Sequence, residues 1–210
     1  MSQKQYNKCD MKTGLKSSIL KRIQSQQLKA FSCYDFTDLA NYKTISKCLE
    51  RMEDIQEIKR IIQGIYYLNR YDEILCLPIL PSINDVAHCL ARKHGWIICP
   101  TGNAALNMLG LSTQVPSKYV YLSSGPYKDY LIYDVPIVFK RTMNRELGNY
   151  SYKTLLLIQC IKTIGKDSFK EDEIRLLKKR LTEEEKKEAF CETTLIQTWI
   201  RNIIIKICKE

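Results

Sequence analysis

The sequence predicts an α+β protein in which a small N-terminal domain precedes a larger, mixed α/β domain. Two observations carry this prediction. Within the first 70 residues, three stretches with helical spacing of apolar side chains are followed by two short β-type stretches around a glycine. From residue 96 onward, strand and turn signals come first, and helical patterns with capping signals follow to the end of the chain. We therefore expect a small antiparallel sheet and a helical C-terminal part in the second domain.

The N-terminal domain is predicted to span residues 15–70, after a basic tail, residues 1–14, that we expect to be disordered. Its first helix covers residues 15–28. Ser32 is a suitable N-cap for a short second helix, because Asp35 stands where a capping box places an acidic residue. The remaining predicted elements are a third helix over residues 43–52 and two strands over residues 58–61 and 65–68. Three helices followed by a hairpin are the order of a winged helix-turn-helix.

The third helix and the hairpin carry the candidate DNA-binding residues. The apolar residues of this helix form one stripe, so its polar side chains project from the other side, as in a recognition helix that enters the major groove. The hairpin, or wing, offers side chains to phosphates or to a minor groove. The candidates are Lys43, Thr44, Ser46, Lys47 and Arg51 on the helix, and Lys59, Arg60 and Gln63 on the wing. A winged helix used only for protein contact, with these charges as a solvated face, is the open alternative.

The charge of the chain favours an anionic partner. The formal net charge is +10 for 210 residues, and the first 34 residues contain seven lysines and arginines against one aspartate. A strongly basic segment beside a predicted winged helix favours double-stranded DNA as the partner. The sequence contains no run of eighteen apolar residues and no visible secretory signal. We therefore expect a cytoplasmic protein without a membrane partner.

The nine cysteines are expected to be free thiols in a reducing compartment, because none of them forms a C-x-x-C pair and their number is odd. Six of them fall among apolar neighbours, as buried thiols do: Cys33, Cys48, Cys76, Cys89, Cys99 and Cys160. One cluster has the residue types of a metal site, namely His88, Cys89, His94 and Cys99. Since His88 and Cys89 are adjacent and point apart, we predict neither a metal nor a cofactor.

A proline-bracketed segment, residues 100–116, is the most distinctive stretch of the second domain, residues 71–210. Its apolar residues around Asn107 predict a short buried helix that joins two pieces of sheet. Thr101 or Asn103 is the candidate N-cap, and Gly110 stands where a left-handed C-terminal residue is wanted. The polar run from Ser112 through Thr113 to Gln114 then lies beside the core, where it bonds either to the backbone or to a partner. We expect architecture rather than chemistry here.

The other elements of the second domain follow from caps and periodicity. Predicted strands cover residues 96–99, 118–123, 130–132 and 137–141, the last three antiparallel. Predicted helices start at Ser82, at Tyr152, at Asp172, at Thr182 and at Thr193, and the last of them runs to Ile207 with a wide apolar stripe.

Both halves of the chain resemble one family. Phe31–Tyr67 looks like the N-terminal winged helix of the AbiEi-family antitoxins of type IV toxin–antitoxin systems. The proline-bracketed segment resembles the signature of a mostly uncharacterised bacterial branch of that family, through Pro100, Thr101, Gly102, Asn107, Gly110, Ser112, Thr113 and Gln114. The similarity runs from Leu15 to near the C-terminus and includes Gln63–Tyr66, Tyr119–Leu122 and Leu181–Glu185. Asn69 departs from the branch, which tends to carry proline after the wing.

The resemblance implies that the winged helix binds the promoter of its own operon and that the C-terminal part counters a nucleotidyltransferase-like toxin. The alternative is a transcription regulator whose C-terminal domain senses a ligand or partner. An enzyme is disfavoured, because Ser124-Gly125 is in the wrong order for a nucleotidyltransferase turn and Asp129 and Asp134 do not form an Asp-x-Asp pair. Cys99 with His94 lacks a third, orienting group. We therefore predict no catalytic residue.

Overall fold

The structure, a computed structural model, describes residues 3–143, 147–148 and 150–209, with side chains from residue 14 onward. The chain divides into two compact units, Met1–Gly95 and Trp96–Glu210. The division therefore lies well after residue 70, where we predicted the domain boundary. The reason is that Arg92 lies 2.7 Å from the Asp35 carboxylate and donates to the Ala30 carbonyl, which ties the segment before Gly95 to the first unit.

The first unit is a helical layer closed by a small hairpin. Its elements are α1 (Gln3–Ser25), a 3-10 helix (Cys33–Phe36), α2 (Tyr42–Asp54), β1 (Ile58–Ile62), β2 (Ile65–Leu68) and α3 (Ile83–His94). Strands β1 and β2 pair in antiparallel fashion, and a bridge from Phe31 to Tyr66 adds one further pairing to β2. Helix α1 begins at Gln3 and so takes in most of the tail for which we predicted disorder; Met1 and Ser2 lie outside the described residues.

The core of the first unit is built by apolar residues at helical spacing. Ile45, Leu49 and Met52 form the buried stripe of α2, and they pack with Ile19, Ile23, Phe31, Phe36 and Ile58. The predicted capping box is present, since the Ser32 amide donates to the Asp35 carboxylate at 2.7 Å. It opens only a four-residue 3-10 helix, however, and not the longer helix that we predicted.

The second unit places helices beside a four-stranded sheet. Its elements are β3 (Ile98–Thr101), α4 (Gly102–Met108), β4 (Tyr119–Ser123), β5 (Lys128–Ile132), β6 (Val135–Arg141), α5 (Tyr152–Ile164), a 3-10 turn (Lys166–Ser168), α6 (Glu171–Arg180), α7 (Glu183–Glu192) and α8 (Thr198–Cys208). The strand order is β3-β4-β6-β5.

This sheet is mixed, and our prediction of an antiparallel sheet was wrong for one pair. Strands β4 and β6 are parallel, with Tyr121 opposite Phe139, whereas the β3–β4 and β5–β6 pairs are antiparallel. Burial explains the order: Ile137 and Phe139 of β6 are fully buried, while β5 is mostly exposed or half-buried. The apolar strand therefore takes the inner position, and β5 folds back along the edge of the sheet.

Helix α8 begins at Thr198, later than the predicted start at Thr193. Thr193 is instead the C-cap residue of α7, fully buried, and its hydroxyl donates to the Ala189 carbonyl at 2.6 Å. Satisfying a buried hydroxyl in this way ends one helix where the sequence suggested that another begins.

The cysteines that the structure describes are free. Cys76, predicted to be buried, is exposed because it lies in a surface loop, and Cys48 is half-buried; the other four thiols predicted to be buried are so. Within the described part of the chain, none of the helices is long and apolar enough to cross a membrane.

Candidate functional site

Helix α2 turns its polar side outward from the first unit. Asn41 is its N-cap, and the Asn41 side-chain oxygen accepts hydrogen bonds from the Thr44 amide at 3.0 Å and from the Thr44 hydroxyl at 2.9 Å. Lys43, Lys47 and Arg51 are exposed on the face opposite the buried stripe. Thr44 is thus engaged in the cap that fixes the start of this helix, while three cations project into solvent: Lys43 from the first turn, Lys47 from the second and Arg51 from the last.

These three cations have no carboxylate partner among the residues that the structure describes. Other cations of the first unit do: Lys16 lies 2.8 Å from Glu57, and Arg22 lies 2.7 Å from Asp38. Lys43, Lys47 and Arg51 are each four residues apart, so they lie about 6 Å apart along the helix axis. They form a basic row that is available to an external anion.

The second half of α2 has the opposite charge. Glu50 precedes Arg51, the last cation of the basic row, and Glu53 and Asp54 follow it; the Ser46 hydroxyl donates to the Glu50 carboxylate at 3.1 Å. The helix is therefore positive toward its N-terminal end and negative toward its C-terminal end. A polyanion is attracted to the first part and repelled by the second, which orients any anionic partner toward the N-terminal half.

The predicted wing residues are less free than the helix residues. Arg60 donates to the Glu53 carboxylate at 2.5 Å and stacks over the Tyr66 ring, with 5.3 Å to the ring centroid. The hydrogen bond from Arg60 to Glu53 raises the pKa of the arginine. Lys59 lies over the Tyr71 ring at 5.7 Å. The exposed wing residue without a side-chain partner in the described part of the chain is Gln63, next to the turn glycine.

Two exposed tyrosines, which we did not predict as site residues, lie at the start of α2. Tyr34 and Tyr42 are each 50% exposed, and their ring centroids are 5.3 Å apart. Half-exposed aromatic rings suit contact with sugars and phosphates beside a helix N-terminus. A sequence signal was present, because Tyr42 directly follows Asn41, a residue type that favours the N-cap position of a helix.

The proline-bracketed segment builds a different surface, in the second unit. Pro100 is buried in β3, and the Thr101 hydroxyl donates to the Val120 carbonyl at 3.3 Å. Gly102, with φ +59°, opens α4, and Thr101 occupies the N-cap position without a side-chain cap bond. Gly110 takes the predicted left-handed conformation, with φ +68°. These four residues therefore serve the local architecture.

Asn107 holds the loop that follows α4. Its side-chain amide donates to the Ser112 carbonyl at 3.3 Å and to the Gln114 carbonyl at 3.2 Å, and the Gln114 amide donates to the Ser112 hydroxyl. The side chains of Thr113 and Gln114 are exposed. The loop backbone is fixed, and these two side chains are the ones left for a partner.

An open cleft of about 570 Å³ lies along this loop. It is lined by Asn103, Leu106, Gly110, Leu111, Ser112, Thr113, Gln114, Ile164 and Glu173. The Arg180 guanidinium packs on Gly110, where a Cβ atom would lie 2.5 Å from a guanidinium nitrogen. The cleft thus combines apolar side chains, amide and hydroxyl groups and the Glu173 carboxylate, and the Arg180 cation lies beside the glycine turn.

The buried thiols do not have the properties of a nucleophile. Burial raises the pKa of Cys89 and of Cys160 to about 12, and it raises the pKa of Cys99 further above its usual range. These groups stay protonated near neutral pH, whereas a cysteine nucleophile reacts as the thiolate. Burial lowers the pKa of His88, which favours its neutral form. Among the described residues, no three histidine, cysteine or carboxylate side chains are placed to hold a metal ion.

A family described as a family of unknown function, DUF6088, matches residues 18–189, which is well over half of the chain. No curated protein matches the chain.

Proposed function

We propose that this chain, which belongs to the DUF6088 family of unknown function, is a winged helix-turn-helix protein that binds double-stranded DNA. The order of elements supports this assignment: α1, a bridge at Phe31, the 3-10 helix, α2, and the β1–β2 hairpin. In this arrangement α2 is the recognition helix and the turn at Gln63 is the tip of the wing.

The basic row Lys43, Lys47 and Arg51 is the observation that carries the proposal. Cations that pair with neighbouring carboxylates gain less from a phosphate, because they first give up an exposed ion pair worth up to about 1 kcal/mol. Cations without such a partner release counterions from DNA at no such cost. Recognition helices meet the groove with their N-terminal residues, and the N-terminal half of α2 is its positive half.

In this complex, α2 enters the major groove with its N-terminal end foremost. Lys43, Lys47 and Arg51 lie along the groove edge and contact phosphates, with Tyr34 and Tyr42 beside the same end of the helix. Gln63, at the wing turn, is placed to reach a neighbouring phosphate or a minor groove.

We further propose that the protein is the antitoxin of a type IV toxin–antitoxin system and represses its own operon in the cytoplasm. The resemblance to the AbiEi antitoxins supports this role and assigns the countering of a nucleotidyltransferase-like toxin to the second unit. The cleft along residues 103–114 favours a second candidate function, a transcription regulator whose second unit binds a small ligand.

The DNA-binding proposal is tested by titrating a labelled duplex from the region upstream of the protein's own gene, with an unrelated duplex of equal length as control. We expect tighter binding to the upstream duplex and a steep loss of affinity with salt. Equal, salt-independent binding to both duplexes would contradict the proposal.

The role of the second unit is tested with a Thr113→Ala, Gln114→Ala double variant, because both side chains are exposed. We expect its melting temperature to stay unchanged. Growth rescue from a co-expressed nucleotidyltransferase-like toxin then reports on this loop, with Leu195→Ala as a control at another exposed site in the same unit. Failure of the wild-type chain to rescue any such toxin, combined with ligand-dependent DNA binding, would favour the regulator.

A further inference from the structure

An apolar loop protrudes from the first unit after the wing. Residues 71–80 expose large apolar side chains to solvent: Tyr71, Ile74, Leu75, Leu77, Ile79 and Leu80, with Ile74 90% and Leu75 67% exposed. Together they leave on the order of 600 Å² of apolar surface in water, which is the upper end for the largest patch on a typical monomer. We call these six side chains the loop patch.

The loop patch is held in one conformation by backbone hydrogen bonds. The Asp72 carboxylate accepts from the Ile74 and Leu75 amides, both at 2.9 Å, and the Asp72 amide donates to the Leu77 carbonyl at 2.9 Å. The Ile79 amide donates to the Arg70 carbonyl at 2.8 Å. Presenting these side chains to a partner therefore requires little ordering of the loop, which keeps the entropic cost of association low.

A groove continues from the loop patch. It has a volume of about 330 Å³ and is lined mainly by the end of α1, by β2 and by residues 79–81. Ile79 and Leu80 belong to both the patch and the groove. The surface therefore offers an exposed apolar loop next to an apolar groove. In a two-fold dimer, the loop of each copy can enter the groove of the other copy.

The charges around the patch are also self-complementary. Arg70 and Glu73 are both exposed, and neither has a side-chain partner among the described residues. In a two-fold arrangement, a contact between Arg70 of one copy and Glu73 of the other occurs twice. Elsewhere the net charge of +10 makes two copies repel each other.

We infer that the loop patch is a self-association surface and that the protein forms a two-fold symmetric dimer through residues 70–80 and the adjoining groove. One partner of a standard interface contributes about 800 Å², and the patch with its groove supplies most of that area. The apolar area and the charges of this surface are the basis of the proposed dimer, and neither depends on DNA. The dimer forms without DNA, so its failure and the failure of the proposed DNA binding are separate results.

Sedimentation equilibrium of the full chain in the absence of DNA tests this inference. We expect a mass of two chains at micromolar concentration. An Ile74→Glu, Leu75→Glu variant places four carboxylates in the interface, and we expect it to weaken association about a hundredfold or more. Both positions are exposed, so the variant keeps its fold, and its melting temperature falls only by the stabilisation that dimerisation gives the wild type. The control Leu195→Glu, 97% exposed in the second unit, has no effect on mass.

Cross-linking adds a positional readout, because Cys76 lies inside the loop and is exposed. We expect a short bismaleimide to give a covalent dimer of the wild type and of Cys191→Ser, whose thiol is exposed elsewhere, but not of Cys76→Ser. A monomer at all concentrations, a dimer that survives the double glutamate variant, or open-ended growth of higher oligomers would each overturn the two-fold interface.

Discussion

Neutralising two members of the basic row is the sharpest test of whether α2 binds the phosphates of DNA. The change is Lys47→Gln together with Arg51→Gln, which keeps long side chains of good helix propensity on an exposed face. Since Lys47 and Arg51 are about 6 Å apart along α2, each reaches a different phosphate, and two phosphate contacts are lost.

The magnitude follows from counterion release. Each lost phosphate contact lowers the slope of log affinity against log salt by about 0.9, so two contacts lower it by about 1.8. If the variant and the wild type bind equally at about 1 M salt, this difference in slope makes the variant bind about thirtyfold more weakly at about 0.15 M salt. A thirtyfold change in affinity corresponds to about 2 kcal/mol of binding free energy. Fluorescence anisotropy with the upstream duplex at several salt concentrations measures both quantities.

A matched control separates position from total charge. Lys162→Gln with Lys166→Gln removes two exposed cations from the second unit and lowers the net charge equally, from +10 by two units. We expect this variant to keep nearly the wild-type slope. An unchanged slope for the α2 variant, or an equal loss in both variants, would remove Lys47 and Arg51 from the DNA interface.

Three further outcomes follow from the described contacts. Glu53→Gln frees Arg60 from its carboxylate and removes a negative charge from α2. We expect tighter DNA binding by anisotropy, with a slope of log affinity against log salt that is steeper by about 0.9, and a loss in the free energy of unfolding below about 1 kcal/mol. Weaker DNA binding would contradict this. Gly110→Ala and Gly95→Ala each place a side chain on a left-handed residue, and we expect each to lower the free energy of unfolding in urea by about 1–2 kcal/mol. The two costs should be similar, because the Arg180 side chain that packs on Gly110 is flexible enough to move. A much larger cost at Gly110 alone would show that Arg180 cannot move. Leu109→Ala removes a side chain that is 3% exposed and should lower the free energy of unfolding by about 2–5 kcal/mol, whereas a loss below about 1 kcal/mol would show that this site collapses easily.

The sequence by itself determined the features that depend on near neighbours in the chain. The capping boxes at Ser32, Ser82 and Thr182 are all present, because each uses hydrogen bonds between residues three apart. Gly110 follows its helix in the left-handed region as predicted, and Gly95 does the same after α3, since glycine adopts this conformation without steric cost. The buried stripe of α2 followed from the helical spacing of its apolar residues.

Tertiary structure alone decided which distant groups meet. The pairing of β4 with β6, the engagement of Arg60 by Glu53, and the attachment of α3 to the first unit through Asp35 all join residues seven or more positions apart. The exposure of residues 71–80 could not be predicted from the sequence either, because the same apolar residues can be buried in one fold and exposed in another. Local rules rank conformations of one segment, but competition among all segments for the limited buried volume decides their partners.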